Sequence, residues 1–220
     1  MRKLSYLIII IGVLVMLYPK ASEWMNDREQ QKLLEEAEQA YTEPARAPSS
    51  TPDSDLTQSY AAVTELLAEG ADEADEPQPS ATATPDIKPG GKVIAVITID
   101  KIGLKLPVLE GATKANMKFA AAHMKETTTF GEVGNAAIAA HRARTTGRLF
   151  NRLNEVEIGD VIDIQTSGEK YRYKVYDISI VEPTDVSVLK GNGKDQLLTL
   201  ITCDPLVHPT HRLIVHAKIL

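Results

Sequence analysis

Apolar positions along the chain follow three patterns, with changes near residues 21 and 91. Leu4–Tyr18 is a run of fifteen residues without a charge, preceded by Arg2 and Lys3. At 1.5 Å per residue a helix of that length spans about 22 Å, short of the ~30 Å hydrocarbon core. Tyr18 and Trp24 as interfacial aromatics, with Lys20 snorkelling, would compensate for the shortfall, so residues 1–21 read as a cytoplasmic tip and transmembrane anchor. A cleaved signal peptide is the alternative, although Tyr18-Pro19-Lys20-Ala21 is a poor small-residue cleavage site. The two cations hold the N-terminus inside, so the rest of the chain is expected outside the membrane on a single tether.

Residues 22–41 are rich in Glu, Gln, Lys, Leu and Ala behind a candidate N-cap, Ser22, which predicts a solvated juxtamembrane helix acting as a stalk. Residues 42–90 carry Pro, Ser, Thr and acidic runs such as Asp72-Glu73-Ala74-Asp75-Glu76, a composition that buries too little apolar surface to fold alone. As a random coil this linker would reach about 40 Å. Within it, Leu56, Tyr60, Val63, Leu66 and Leu67 fall at helical spacing with Gly70 behind them. They predict either a transient local helix or one docked on the folded domain.

From residue 91 the period becomes two. Lys92–Asp100, Asp160–Thr166, Tyr171–Val181, Leu197–Cys203 and Arg212–Leu220 read as strands, and Asn135–His141 as a buried strand of small residues. Ala115–Ala122 and Gly147–Leu153 read as short helices. Short strands separated by turn residues predict a mainly β domain over residues 91–220, a closed barrel or a sandwich.

Charge sharpens that division. The chain sums to −6, but residues 1–90 hold 7 basic and 16 acidic groups (−9) and residues 91–220 hold 17 and 14 (+3). Neither part has the basic footprint of a nucleic-acid binder, and none is expected as a partner. All five histidines and the single cysteine lie in the second part. One cysteine excludes an intramolecular disulfide and any multi-cysteine metal centre.

Cys203 ends an apolar strand, and Asp204-Pro205 opens a loop behind it. An unpaired thiol outside the membrane is either a buried structural residue or a nucleophile. A cysteine nucleophile needs a base and a donor for the developing oxyanion. His141 enters the basic turn Arg142-Ala143-Arg144, and Arg212 heads the next strand, near Cys203 if the two strands pair. His123, His208, His211 and His216 are other candidates. His216 sits in a strand as a structural residue, and His208 and His211 are placed to gate the loop. A Cys203/His208/His211 zinc site lacks a fourth ligand.

Thr199-Leu200-Ile201-Thr202-Cys203, followed by Arg212 at the head of a final apolar strand, resembles the TLxTC…R signature of the sortase transpeptidases, and Ala140-His141-Arg142 resembles their catalytic-histidine turn. Relatives commonly have Gly where this chain has Ala140. The resemblance implies an eight-stranded sortase β-barrel. It also implies that Cys203 attacks the Thr–Gly bond of an LPxTG-like sorting signal to form a thioacyl enzyme, which an amine of a peptidoglycan precursor then resolves. In that scheme His141 is the acid/base, Arg212 steadies the carbonyl or oxyanion, and Thr202 adds a backbone or hydroxyl contact. Val186, Val188 and Leu189 would receive the signal's Leu and Pro. No cofactor is predicted: some relatives use a calcium ion near this loop, to which Glu182 and Asp185 could contribute, but two acidic groups are too few to assign a site.

With no second apolar span and no Asp-Pro-aromatic lid, an anchoring enzyme of the housekeeping or class D type is expected over a pilus polymerase. Two other classes stay open: a tethered binding module with an inert Cys203, and a cysteine hydrolase using water as acceptor. An L,D-transpeptidase would carry a Ser-x-Gly-Cys-x-Arg motif that is absent here.

Overall fold

The computed structural model describes residues 24–39, 54–72 and 89–220. The proposed anchor and most of the linker lie outside them. No helix among the described residues is long and apolar enough to cross a membrane. Eight strands form a closed barrel: β1 (Val93–Ile99), β2 (Leu104–Glu110), β3 (Ala121–His123), β4 (Gly134–Ala139), β5 (Val161–Thr166), β6 (Lys170–Val181), β7 (Gln196–Asp204) and β8 (His211–Ile219). Their order around the wall is β1-β2-β3-β4-β7-β8-β6-β5. The β2–β3 and β4–β7 pairs are parallel and the others antiparallel.

Alternation sorts the side chains. Ile97, Leu106, Ile138, Ile164, Tyr173, Leu200 and Val215 fill the barrel, with Phe150 and Leu153 packed into the same core. On β4, β7 and β8 the opposite face is apolar as well: Ala137, Ala139, Ile201, Cys203 and Ile214 belong to a second buried cluster outside the wall. A strand buried on both faces reads as an unbroken apolar run, which is why NAAIAAH and LLTLITC show no alternation.

The cover over that outer face comes from the segment read as linker. Helix α2 (Ser54–Asp72) lies on it and buries Tyr60, Val63 and Leu67 completely or nearly so. The stalk helix is also docked: residues 24–39 form helix α1, whose Leu33 and Ala37 are buried, Leu33 against Leu109, Phe119 and Ala120. Lys105–Glu38 (2.8 Å) and Arg148–Asp27 (2.9 Å) tie its polar positions to the barrel. The expectation of a fully solvated helix is therefore corrected.

Two strands were not legible in the sequence. In β2, Pro107 interrupts the pattern, since proline removes a ladder donor. The N–H of Glu110 points at β1, donating to Lys92. By alternation position 107 faces the other side, where β3 begins to pair only at Val108, so no bond is lost. The expected helix Ala115–Ala122 is a single turn, α3 (Lys114–Met117), and Ala121–His123 instead form β3. Helix propensity of the alanines yields to ladder pairing on both sides, parallel with β2 and antiparallel with β4. Gly147–Leu153 is likewise a series of turns, with a 3-10 turn at Leu153–Glu155.

Candidate active site

The site forms where β4, β7 and β8 end together. β7 and β8 are adjacent and antiparallel, with Cys203 directly opposite Arg212. β4 runs parallel to β7 with Ala139 opposite Ile201, and the Ala140 N–H still donates to Ile201. One step further along that register, His141 leaves the strand beside Cys203. The three residues expected to act together thus occupy neighbouring strands at one end of the barrel.

Several contacts hold this arrangement. The Thr202 hydroxyl, fully buried, donates to the Ala140 carbonyl (2.8 Å) and locks β7 to the end of β4. In this structure the Thr202 hydroxyl proton is engaged within the scaffold. Arg142 Nη1 pairs with Asp204 Oδ1 at 2.7 Å and lies 3.4 Å from the Cys203 carbonyl. This ion pair joins the residue after His141 to the residue after Cys203. In the sequence Arg142 stands out only as part of a basic turn and Asp204 only as part of a strand break.

Cys203 and Arg212 are both buried, each 2% exposed. What buries them is α2. The thiol lies 3.3 Å from the Leu67 carbonyl, and Arg212 Nη2 donates to the Thr64 carbonyl at 2.6 Å. Arg212 Nη1 donates to the His211 carbonyl, while its Nε has no hydrogen-bond partner, and neither has the buried Tyr60 hydroxyl. Burial pushes the Tyr60 phenol up to about 12, so it stays neutral beside Arg212, whose charge only partly opposes the shift.

Val186, Val188 and Leu189 form a 3-10 turn capped by Asp185, which accepts from the Ser187 N–H at 3.0 Å. Val188 and Leu189 belong to the cluster beneath α2, and Val186 packs on its edge. The turn is held from behind, because Asn135 Nδ2 donates to the Val188 carbonyl at 3.0 Å and the Thr199 hydroxyl donates to Asn135 Oδ1 at 2.8 Å. Thr199 also contacts His216 Nδ1 at 2.9 Å. This places the first Thr of the pentad in support of the loop, a role the sequence pattern did not disclose.

The side chains of the remaining histidines make their contacts elsewhere. His123 is buried between Glu110 and the Thr128 carbonyl. His211 faces Glu182 at 3.3 Å, and His208 is exposed. Among the described residues no group of three His, Cys, Asp or Glu side chains is placed to hold a metal ion.

His216 carries a pH prediction. Burial holds its imidazole below the usual 6.5, with Asp177 only partly opposing this. Below about pH 6.5 the unfolded chain takes up a proton that the folded protein refuses until lower pH, so stability falls on acidification through that window. His216→Gln should remove this component. Urea midpoints at pH 7.5 and 5.5 are expected to drop further for the parent than for the variant. Equal drops would show that His216 does not contribute.

Comparison with known proteins agrees with this geometry. The family model described as the sortase domain matches residues 97–220. Sortase A of Bacillus anthracis is 36% identical over 124 residues, which is 56% of this chain and 58% of that protein. The chain thus spans little more than half the length of that relative. Among solved structures, sortase A of Listeria monocytogenes is 31% identical with a TM-score of 0.54, covering 58% of this chain and 87% of that one. A Clostridium perfringens sortase D5 transpeptidase superposes over 88% of this chain and 99% of its own with a TM-score of 0.61, at 24% identity a likeness of fold. With a matching domain across more than half its length, an eight-stranded barrel and the pentad at the end of β7, this chain belongs to the sortase family.

Proposed function

We propose that the protein is a membrane-tethered cysteine transpeptidase that cuts an LPxTG-like sorting signal between Thr and Gly and passes the new carboxyl terminus to an amine of peptidoglycan. The observation that carries this reading is the ladder pairing of Cys203 with Arg212, with His141 emerging beside Cys203 from the adjacent parallel strand.

In the first half-reaction Cys203 Sγ attacks the threonine carbonyl carbon, and the electron pair moves onto its oxygen. The Arg212 guanidinium stabilises that oxyanion by charge-assisted hydrogen bonds. As the C–N bond breaks, protonated His141 donates its proton to the glycine amine, which leaves with the C-terminal peptide, and a thioester remains. In the second half His141 takes a proton from the incoming amine, the amine attacks the thioester, and Cys203 departs. Val186, Val188 and Leu189 offer apolar contacts for the signal's Leu and Pro, and the Thr202 backbone lies next to the nucleophile. Leu4–Tyr18 holds the barrel on the outer surface, where secreted proteins and wall precursors meet. The absence of an Asp-Pro-aromatic tripeptide favours an anchoring enzyme over a pilus polymerase.

Incubating the protein with an LPxTG-type peptide, with and without triglycine, tests this reading. Cleavage after threonine and a triglycine-dependent ligated product are expected. If protein whose Cys203 reacts with iodoacetamide cut no sorting-type peptide, the assignment would be wrong.

The Arg142–Asp204 pair should matter through position. Asp204→Asn or Arg142→Gln is expected to lower kcat about ten- to hundredfold with little change in KM, as small misplacements of reacting groups do. Asp204→Glu should restore part of the loss. Unchanged kcat in both single variants would reduce the pair to a scaffold contact.

A further inference from the structure

Helix α1 connects the membrane side of the chain to the reacting end of the barrel. Asp27 pairs with Arg148 at 2.9 Å, and Arg148 belongs to the turn that follows His141. That turn is folded back on itself, since the Phe150 N–H donates to the His141 carbonyl at 3.0 Å and Arg142 forms an isolated bridge with Leu149. Leu33, packed against Leu109, Phe119 and Ala120, fixes the middle of the helix on the barrel. The apolar run Leu4–Tyr18 ends only six residues before Trp24, a reach of about 20 Å at full extension. We infer that α1 seats the barrel with its active-site end toward the membrane, and that the partner of this end is a lipid surface carrying anionic headgroups. The inference rests on the proposed role of Leu4–Tyr18 as the anchor.

Side chains at that end suit a headgroup layer. Trp24 and Met25 are 59% and 61% exposed even though α1 is docked, and the Arg28 guanidinium lies 4.9 Å over the Trp24 ring. A tryptophan has an apolar body and a polar N–H, so it is at home between headgroups and acyl chains, where an arginine beside it meets phosphate. Residues 133–154 contain four arginines and no aspartate or glutamate. Arg144 among them is exposed in the turn after His141, and with Arg28 it presents positive charge to anionic lipid phosphates. The other end of the barrel is remote from this charge. Strand β6 runs from Lys170 to Val181, which pairs with Arg212, so its 12 residues put the β5–β6 turn about 30 Å along the barrel axis from the active site. An undocked α1 would be a tether alone and would set no orientation.

Trp24 is the only tryptophan, and Cys203→Ala leaves the chain without a thiol, so single probes can report on each end. The full chain carrying Cys203→Ala is placed in vesicles of equal parts phosphatidylglycerol and phosphatidylcholine, with a nickel-chelating headgroup lipid as the relaxing agent. A spin label is attached through Thr146→Cys, in the exposed turn after His141, or through Gly168→Cys, in the far turn, where an added Cβ meets open space. Brominated acyl chains should quench Trp24. Nickel should relax the Thr146→Cys label and leave the Gly168→Cys label as it is without nickel. Leu33→Asp, which undocks α1, should abolish the difference between the two labels while Trp24 stays quenched. Arg144→Gln should lower the ratio of surface-held to lifted barrel about fivefold, read from the strongly relaxed fraction of the Thr146→Cys label. Equal relaxation of both labels, or stronger relaxation at Gly168→Cys, would overturn the inference and leave the transpeptidase reading untouched. An unchanged ratio in Arg144→Gln would overturn anionic lipid as the partner. If Leu33→Asp does not fold, the comparison of the two labels decides. An unquenched Trp24 would remove the anchor, and this inference with it.

Discussion

Cys203→Ala is expected to abolish both peptide cleavage and triglycine ligation, lowering the rate by about 10⁴-fold or more, the scale seen when a covalent nucleophile is removed. No other thiol exists in the chain, and without one no thioester can form. The substitution should cost the fold little. Cys203 lies at the end of β7 in an apolar cluster, and losing one sulfur atom from a small side chain leaves a void of modest size. An unchanged thermal midpoint together with lost activity, both followed by mass and by circular dichroism, is therefore the expected pair of results. Retention of even one hundredth of the parent rate would mean that Cys203 is not the group attacked through.

Arg212→Lys keeps the charge and loses the planar fork, and kcat is expected to fall by about 10²–10³-fold, the range for loss of an oxyanion donor. Arg212 is buried and spans three directions at once, with Nη1 on the His211 carbonyl, Nη2 toward α2 and Nε under the helix. A lysine ammonium cannot reproduce that geometry from one atom. If the arginine acts on the developing oxyanion, kcat and kcat/KM should fall together. A rise in KM with kcat unchanged would recast Arg212 as a substrate-binding group with no part in the transition state.

The strands that build the site were the most legible part of the sequence. Leu197–Cys203 was placed within a residue of β7 and Arg212–Leu220 within a residue of β8, because their apolar residues and the Asp204-Pro205 break bound them on both sides. The ladder that pairs Cys203 with Arg212 followed from the short loop between them. The approach of His141 did not, since β4 and β7 are parallel and more than fifty residues of chain separate them. No local pattern encodes such a pairing. Thr199 shows the same limit from another side: its place in the pentad is plain, while its support of the Val188 turn runs through Asn135 and depends on a loop brought back by tertiary structure. The helical spacing of Leu56, Tyr60, Val63 and Leu67 was visible, and so were the unbroken apolar runs of β4 and β7. That these two features cover one another became evident only in three dimensions, since each alone is also compatible with other partners.

The Leu67–Cys203 contact closes a loop across 136 positions, and α2 adds no strand to the barrel. The helix is therefore made long before the surface it rests on, and it can dock only after β4, β7 and β8 are in place. Its release breaks none of the strand ladder. In hydrogen-exchange terms, the amides of α2 should exchange through a low-energy local opening while those of β7 and β8 wait for global unfolding.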